Sequence, residues 1–269
     1  MEKINISFFL SGLFVGSFCV IVGSIFEQYR PAQKQCKKVM FFNICYSVPL
    51  HLADTILIPL VSGFSALAVN SAGGGLIILS SDGYGLLPAA FIYTFAMDFG
   101  EYVFHRAQHR FPLLWSMHSF HHSDSALNVS SAGRHYWVER SLKMMSIYIL
   151  VAIIFKTNPM LVAMHVLISF YNYFLHMNIR SGFGRWSVLI NSPQYHRIHH
   201  SALPEHRDCN FAALFPIFDV VFGTYRQPQE NEYPSTGIDG GEQPSGLVEA
   251  IFWPLRSPMR RFFGGRAES

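Results

Sequence analysis

The chain has 269 residues, half of them apolar and only 14% charged, with a net charge of +3. Soluble domains carry roughly a quarter charged residues. This composition, with a mean hydropathy of +0.24, excludes an ordinary soluble domain and predicts a membrane protein. A net charge this small gives no reason to expect nucleic acid as a partner.

The first apolar run, Ile6 to Phe26, is long enough to cross a bilayer, which takes about 20 residues. It exceeds the h-region of a secretory signal and shows no small-residue cleavage site, so a retained anchor is expected. Arg30, Lys34, Lys37 and Lys38 follow, and the positive-inside rule places that loop in the cytosol. A second run covers Val39 to Leu67. A third starts at Gly73 to Leu79, is interrupted at Ser80-Ser81-Asp82-Gly83, and resumes from Leu86 to Met97. Leu142 to Phe155 and Met160 to Leu175 form a further apolar pair, with a turn expected at Lys156-Thr157-Asn158-Pro159. That pair is short for two full spans and reads as a hairpin dipping into the membrane.

The expected fold is an all-α integral membrane protein with about four transmembrane helices and a cytosolic helical cap. Its expected divisions are N-terminal helices (1–85), a catalytic region (86–225) and a cytosolic tail (226–269). Residues 226 to 245, rich in Pro, Gly, Glu and Gln, read as irregular. The amphipathic stretch Leu247 to Leu255, with Arg256, Arg260, Arg261 and Arg266 after it, is expected to rest on lipid headgroups.

Four cysteines without C-x-x-C spacing indicate neither a disulfide framework nor a thiolate zinc site. Histidine is the outlier, with thirteen. His105 and His109 lie four apart in YVFHRAQHR. His118, His121 and His122 lie three and four apart in MHSFHHS, and His196, His199 and His200 repeat that spacing in QYHRIHHS. Such spacings put imidazoles on one helical face. The topology above, drawn without the histidines, brings all three motifs to the cytosolic face. Crowded neutral imidazoles serve chiefly as metal ligands, and eight exceed the four to six that one ion takes. Two ions are therefore expected.

His176 ends the hairpin, and Asn172, Ser169 and His165 continue a polar stripe back along its helix. Asn172 is close enough to contribute through water. His165, roughly 16 Å deeper at 1.5 Å per residue, is expected to line a cavity rather than bind metal. His135 is a candidate ligand or a ligand's neighbour. Asp98, Glu101, Glu139, Asp208 and Asp219 are expected to take the histidines' second N–H groups and offset the metal charge. His51 and Asp54, inside the second span, read as a polar pair or as part of a substrate cavity. His206 reads as a loop residue.

These motifs resemble the fatty acid hydroxylase / sterol desaturase superfamily of membrane di-iron oxygenases. The resemblance runs from about Leu87 to Tyr225. It is carried by YVFHRAQH, LLWSMHSFHHS, RHYWVE (His135, Glu139), FLHMN (His176, Asn178), SPQYHRIHHS and the closing NFAALFPIFDVVFGTY. Two departures stand out: Tyr136 replaces the proline that often follows this His, and Asn172 stands where acyl hydroxylases often carry a histidine. The resemblance implies two iron ions bound by His105, His109, His118, His121, His122, His135, His176, His196, His199 and His200, with Asn172 and Asn178 beside them. It also implies O2-dependent hydroxylation or desaturation of a membrane lipid such as a sterol, carotenoid, acyl chain or ether lipid. An apolar tunnel from the bilayer is expected. No fused cytochrome b5 segment is seen, so electrons would come from a separate ferredoxin or cytochrome b5. Zinc readily replaces iron in such sites, and a zinc-dependent membrane hydrolase is the main alternative, with a metal transporter or sensor behind it. The short loops favour a bacterial inner membrane over an endoplasmic reticulum.

Overall fold

Thirty-five consecutive residues, Lys37–Ser71, form α2, a helix about 52 Å long at 1.5 Å per residue. Its apolar residues face outward: Phe41, Leu60 and Leu67 are each at least two-thirds exposed, and only 17% of its most apolar stretch is buried. A core helix of a soluble protein would show the reverse. α2 is the one helix among the described residues long and apolar enough to cross a membrane; Gly12–Phe26 and Pro159–Leu175 are shorter apolar helical segments. A computed structural model describes residues 6–80, 82–156 and 158–256.

Twelve α-helices, with short 3-10 turns, make up the described fold, and no strand longer than an isolated bridge occurs there. α1 (Ile6–Phe26) packs on α2. The third apolar run does not start as a helix. Gly73, Gly74 and Gly75 all take positive φ, which ends α2 and turns the chain. At Gly75 a Cβ would lie 2.4 Å from the Lys156 backbone. Leu76 and Ile77 instead run extended, donating their amide N–H groups to the carbonyls of Ile153 and Ile154. Helix α3 (Leu86–Arg110) then runs 25 residues, and α4 (Pro112–His122) folds back from Pro112 at its first turn.

Both arms of the expected hairpin are helical but broken, and they pack on α2 and α3. Its first arm is α5 (Glu139–Lys143), a π-helical turn (Met144–Tyr148) and α6 (Ile149–Ile154). Its second is α7 (Pro159–Ser169), then α8 (Tyr171–Leu175), with His176 as C-cap. Thr157, within the expected turn, lies outside the described residues. α9 (Pro193–His199) starts at Pro193 behind Ser192, whose side chain caps the Tyr195 N–H.

The C-terminal segment is bound into the cap rather than trailing from it. Leu127 N–H donates to Thr236 Oγ1, and Gly237 N–H donates to the His200 carbonyl. After α10 (Ile217–Val221) come α11 (Leu247–Ile251) and α12 (Trp253–Arg256). Trp253 is buried against Phe120 and donates its indole N–H to Ser119 Oγ. The stretch expected to rest on lipid therefore buries Ala250 and Trp253 in a core with Tyr46, Leu50, Met117 and Tyr136, while Val248 and Leu255 stay exposed. The Arg256 side chain and Arg260, Arg261 and Arg266 lie outside the described residues.

Candidate metal centre

α3, α4, α9 and the end of α8 bring their histidines to one place. Two clusters form, each with its ring nitrogens within 4.8 Å of one another. One gathers His105, His109, His118, His122 and His199; the other gathers His121, His176, His196 and His200. They adjoin, since the His122 ring stacks on that of His200 with centroids 4.4 Å apart. His135 stacks on His121 at 4.3 Å.

Hydrogen bonds at the outer ring nitrogens set the tautomers. Carbonyl oxygens only accept, so a ring nitrogen facing one must carry the proton. Nδ1 of His105 donates to the Phe211 carbonyl (2.7 Å), and that of His199 to Cys209 (2.8 Å). Nδ1 of His121 donates to Arg134 (3.2 Å), and that of His176 to Asn172 (2.8 Å). Each Nε2 is left as a lone pair pointing inward. In the first cluster Nε2 of His105, His118 and His199 is buried without a hydrogen-bond partner. In the second, Nε2 of His176 lies 3.2 Å from that of His121, although both are acceptors in these tautomers. Buried acceptors without donors are costly, and several converging ones are the donor set a metal cation requires. The residues present fit a pair of metal ions.

The electrostatics agree. Burial, reinforced by neighbouring imidazoles, holds His121, His122, His196, His199 and His200 well below their ordinary value of 6.5. Burial pushes His118 down to about 4. Neutral rings are the ligating form. Burial works against ionisation of Glu139, but hydrogen bonds from His118 and His135 override it and hold the carboxyl well below the usual carboxylate range.

Among the acids expected beside the imidazoles, Glu139 and Asp208 are there. Glu139 Oε2 meets Nδ1 of His118 (3.3 Å) and of His135 (3.4 Å), and Asp208 meets Nδ1 of His109 (3.2 Å). The others need correction. Asp98 shares a face with His105 but lies seven residues back, about 10 Å along α3. Its carboxylate accepts instead from the N–H groups of Leu214 and Phe215. Glu101 pairs with Lys143 at 2.6 Å. Asp219 accepts from the N–H groups of Phe211 and Ala212 and from the Tyr195 hydroxyl, bracing the segment whose carbonyl receives His105. Asn172 acts through its carbonyl, not its side chain. Asn178 binds Arg197 and the backbone of Gln33.

His165 stays apart, edge-on to Tyr93 at 6.1 Å. His51 and Asp54 do not pair: His51 donates to the Ser47 carbonyl, and Asp54 binds Arg140 at 2.5 Å. His206 lies in a turn, but it is buried and faces Glu232. Gln108 is a further member of the site, buried and donating to Glu139 Oε2 at 2.9 Å. A polar residue between two box histidines was the signal for it. The carbonyls of Cys209 and Phe211 left a fainter one. Asp208 and Asn210 flank Cys209 with φ of 55° and 59°, a conformation Asp and Asn tolerate better than most residues.

The two acids yield a contrast. Glu139→Gln should weaken metal binding by about 10–100-fold, as loss of a ligand's hydrogen-bond partner does. Glu101→Gln should leave it near wild type. Metal-competition titration of both variants checks this, and equal affinities would remove Glu139 from its place.

All-helical among the described residues, with two adjoining and largely buried polyhistidine clusters that could hold metal, the fold and site define a histidine-box protein. The chain is a member of the fatty acid hydroxylase family: the profile described as "Fatty acid hydroxylase" matches residues 90–224, half of the sequence and all of the clustered histidines. Among curated relatives it is similar to alkylglycerol monooxygenase of Danio rerio, 32% identical over 164 residues, 59% of this chain and 35% of that protein. The Xenopus tropicalis alkylglycerol monooxygenase is 30% identical over 135 residues, 50% of this chain and 30% of that one. Ornithine lipid hydroxylase OlsE of Rhizobium tropici is 24% identical over 253 residues, covering 92% of this chain and 76% of its own. The chain thus spans about a third of the length of the alkylglycerol monooxygenases it matches. No solved structure matches it.

Proposed function

We propose that this chain is a multi-pass membrane oxidoreductase that uses O2 and two iron ions to hydroxylate or desaturate a membrane lipid. The observation that carries this is the pair of adjoining clusters with inward Nε2 lone pairs. His105, His109, His118, His122 and His199 hold one ion. His121, His176, His196 and His200 hold the other, with His135 stacked beside them. Residues 1–85 and the hairpin anchor the cap in the bilayer, with the histidines on the cytosolic side. The outward apolar side chains of α1 and α2 support this placement, since exposed apolar surface on this scale marks a membrane contact.

Two irons bound there, with O2 as co-substrate, would supply oxidation of an unactivated C–H bond, which no side chain performs unaided. The protein's own residues do the rest. Backbone carbonyls and Glu139 lock the rings, and burial of His118, His121, His196, His199 and His200 keeps bulk water out. For the lipid, the described surface offers an open apolar groove of about 620 Å³. It is lined by Tyr171, Phe174, Phe183, Trp186 and Ile190 and runs beside α8, the helix that ends at His176. The names of the relatives favour a glycerol- or ornithine-based lipid over a sterol or carotenoid.

The test is comparative lipidomics of cells with and without the gene, grown with and without O2. The expected result is a lipid that gains one oxygen atom or loses two hydrogens only when gene and O2 are both present. A product that forms without O2 in zinc-loaded protein would point to the hydrolase instead.

A further inference from the structure

We propose that two ion pairs within the helical bundle, Asp54–Arg140 and Glu101–Lys143, form with Tyr148 and His165 a subsite for the polar end of the lipid, and that this end is uncharged and carries hydroxyl groups. The inference rests on the oxidative reading above and deepens it, since it names the lipid's head and sets it beside the clusters. Asp54 lies at the middle of α2, 17 residues from Lys37 and 17 from Ser71 (54 − 37 and 71 − 54). Ionisable side chains halfway along a membrane-crossing helix are costly, and where they occur they mark a substrate path more often than packing.

The two pairs adjoin. Arg140 donates to Asp54 Oδ2, and Lys143 Nζ lies 2.6 Å from Glu101 Oε2. The Tyr148 hydroxyl donates to Glu101 Oε1 at 3.5 Å and lies within range of the Arg140 charge as well. Tyr148 closes the π-helical turn Met144–Tyr148, and such turns concentrate at functional sites. The subsite also borders the metal centre. Glu101 lies one turn, about 6 Å, before His105 on α3. Arg140 follows Glu139, whose carboxylate meets His118 and His135. A lipid whose head sits there presents the carbons nearest that head to the clusters.

Tethering one helix to another accounts for one bond of each pair and leaves the rest unexplained. Arg140 makes a single hydrogen bond among the described residues and keeps 40% of its side chain exposed. Asp54 is 2% exposed, yet its Oδ1 is buried with no hydrogen-bond partner. His165, within range of the Glu101 charge, buries its Nδ1 in the same way. Buried polar atoms left like this call for a ligand or water. Oδ1 of Asp54 needs a donor and the Arg140 guanidinium needs an acceptor; a hydroxyl group is both. The two cations and two carboxylates sum to zero charge. A phosphate drawn to Arg140 would meet Asp54, and a zwitterionic head would have to part the pairs to satisfy both its charges. The balance therefore selects an uncharged head, by repulsion as much as by attraction.

The test measures equilibrium binding of tritiated monooleoylglycerol, without O2, to the full metal-loaded chain in detergent. Competitors are methyl oleate, which has no hydroxyl, and two charged heads on the same chain, lysophosphatidic acid and lysophosphatidylethanolamine. Wild type should bind monooleoylglycerol at least about ten-fold more tightly than any of the three, as hydrogen bonds to charged groups allow. The double variant Asp54→Leu, Arg140→Leu removes both charges together, a change that buried ion pairs usually tolerate. It should lose that preference while melting temperature and metal content stay unchanged. Arg140→Lys keeps the ion pair but not the planar fork of donors, and should fall between the two. A preference of wild-type strength in either variant would overturn the proposal, and so would tighter binding of either charged head to wild type. Failure of the oxidative reading would show elsewhere, in the lipid profiles grown with and without O2, and would leave this binding result standing.

Discussion

His199→Ala is expected to strip metal from the five-histidine cluster and lower lipid oxidation by more than about 100-fold, since loss of even an outer hydrogen-bond partner costs about 10–100-fold. His199 is buried, its ring 4.4 Å from that of His105 and 4.7 Å from that of His122. Its Nδ1–H is held by the Cys209 carbonyl, so its lone pair is aimed before any ion arrives. Alanine removes one of five donors and leaves that buried carbonyl unpaired. Metal analysis should find about one ion fewer per chain, with helix content and membrane insertion unchanged. His165→Ala, a control three turns away from His176, should retain full metal content. A His199→Ala protein with both metal and activity intact would contradict the assignment.

The second large effect falls on stability. Arg134 is 1% exposed, and its guanidinium lies 4.9 Å from the Phe120 ring and 5.3 Å from that of Phe42. It donates to the Phe120 carbonyl (3.0 Å), Asn43 Oδ1 (3.1 Å) and Ser123 Oγ (2.6 Å), tying α2 to α4. Its own carbonyl receives His121. Leucine fills much of the space but donates nothing, so three buried acceptors lose their partner. Hydrogen bonds to a charged group contribute about 1.5–3 kcal/mol each, and Arg134→Leu should cost roughly 3 kcal/mol or more. The expected outcome is a clear drop in melting temperature in detergent, with loss of metal concentrated in the His121 cluster. A variant that melts with wild type and binds two ions would show that Arg134 does not hold the two helices and His121 in place.

Family membership and the clustering of the box histidines were legible from the linear chain, because the helical period alone puts His105 with His109, and His118 with His121 and His122, on shared faces. The same rule misled for Asp98 and Glu101. A shared face does not mean contact when residues are seven apart, and the neighbours that claim these acids, Leu214, Phe215 and Lys143, come from other elements. The broken hairpin was half visible: the turn signals showed, while the π-helical turn and the Ile77 bridge depend on how α6 meets the glycine-rich segment.

What the sequence by itself determined, then, is which residue types can bind and where each lies within its own helix. Only the tertiary structure decided how they divide. His122 sides with His199 while its neighbour His121 sides with His176, because successive positions on a helix point about 100° apart and face different partners. It also decided what holds the rings, since most of their partners are backbone carbonyls, and a carbonyl is the same in every residue.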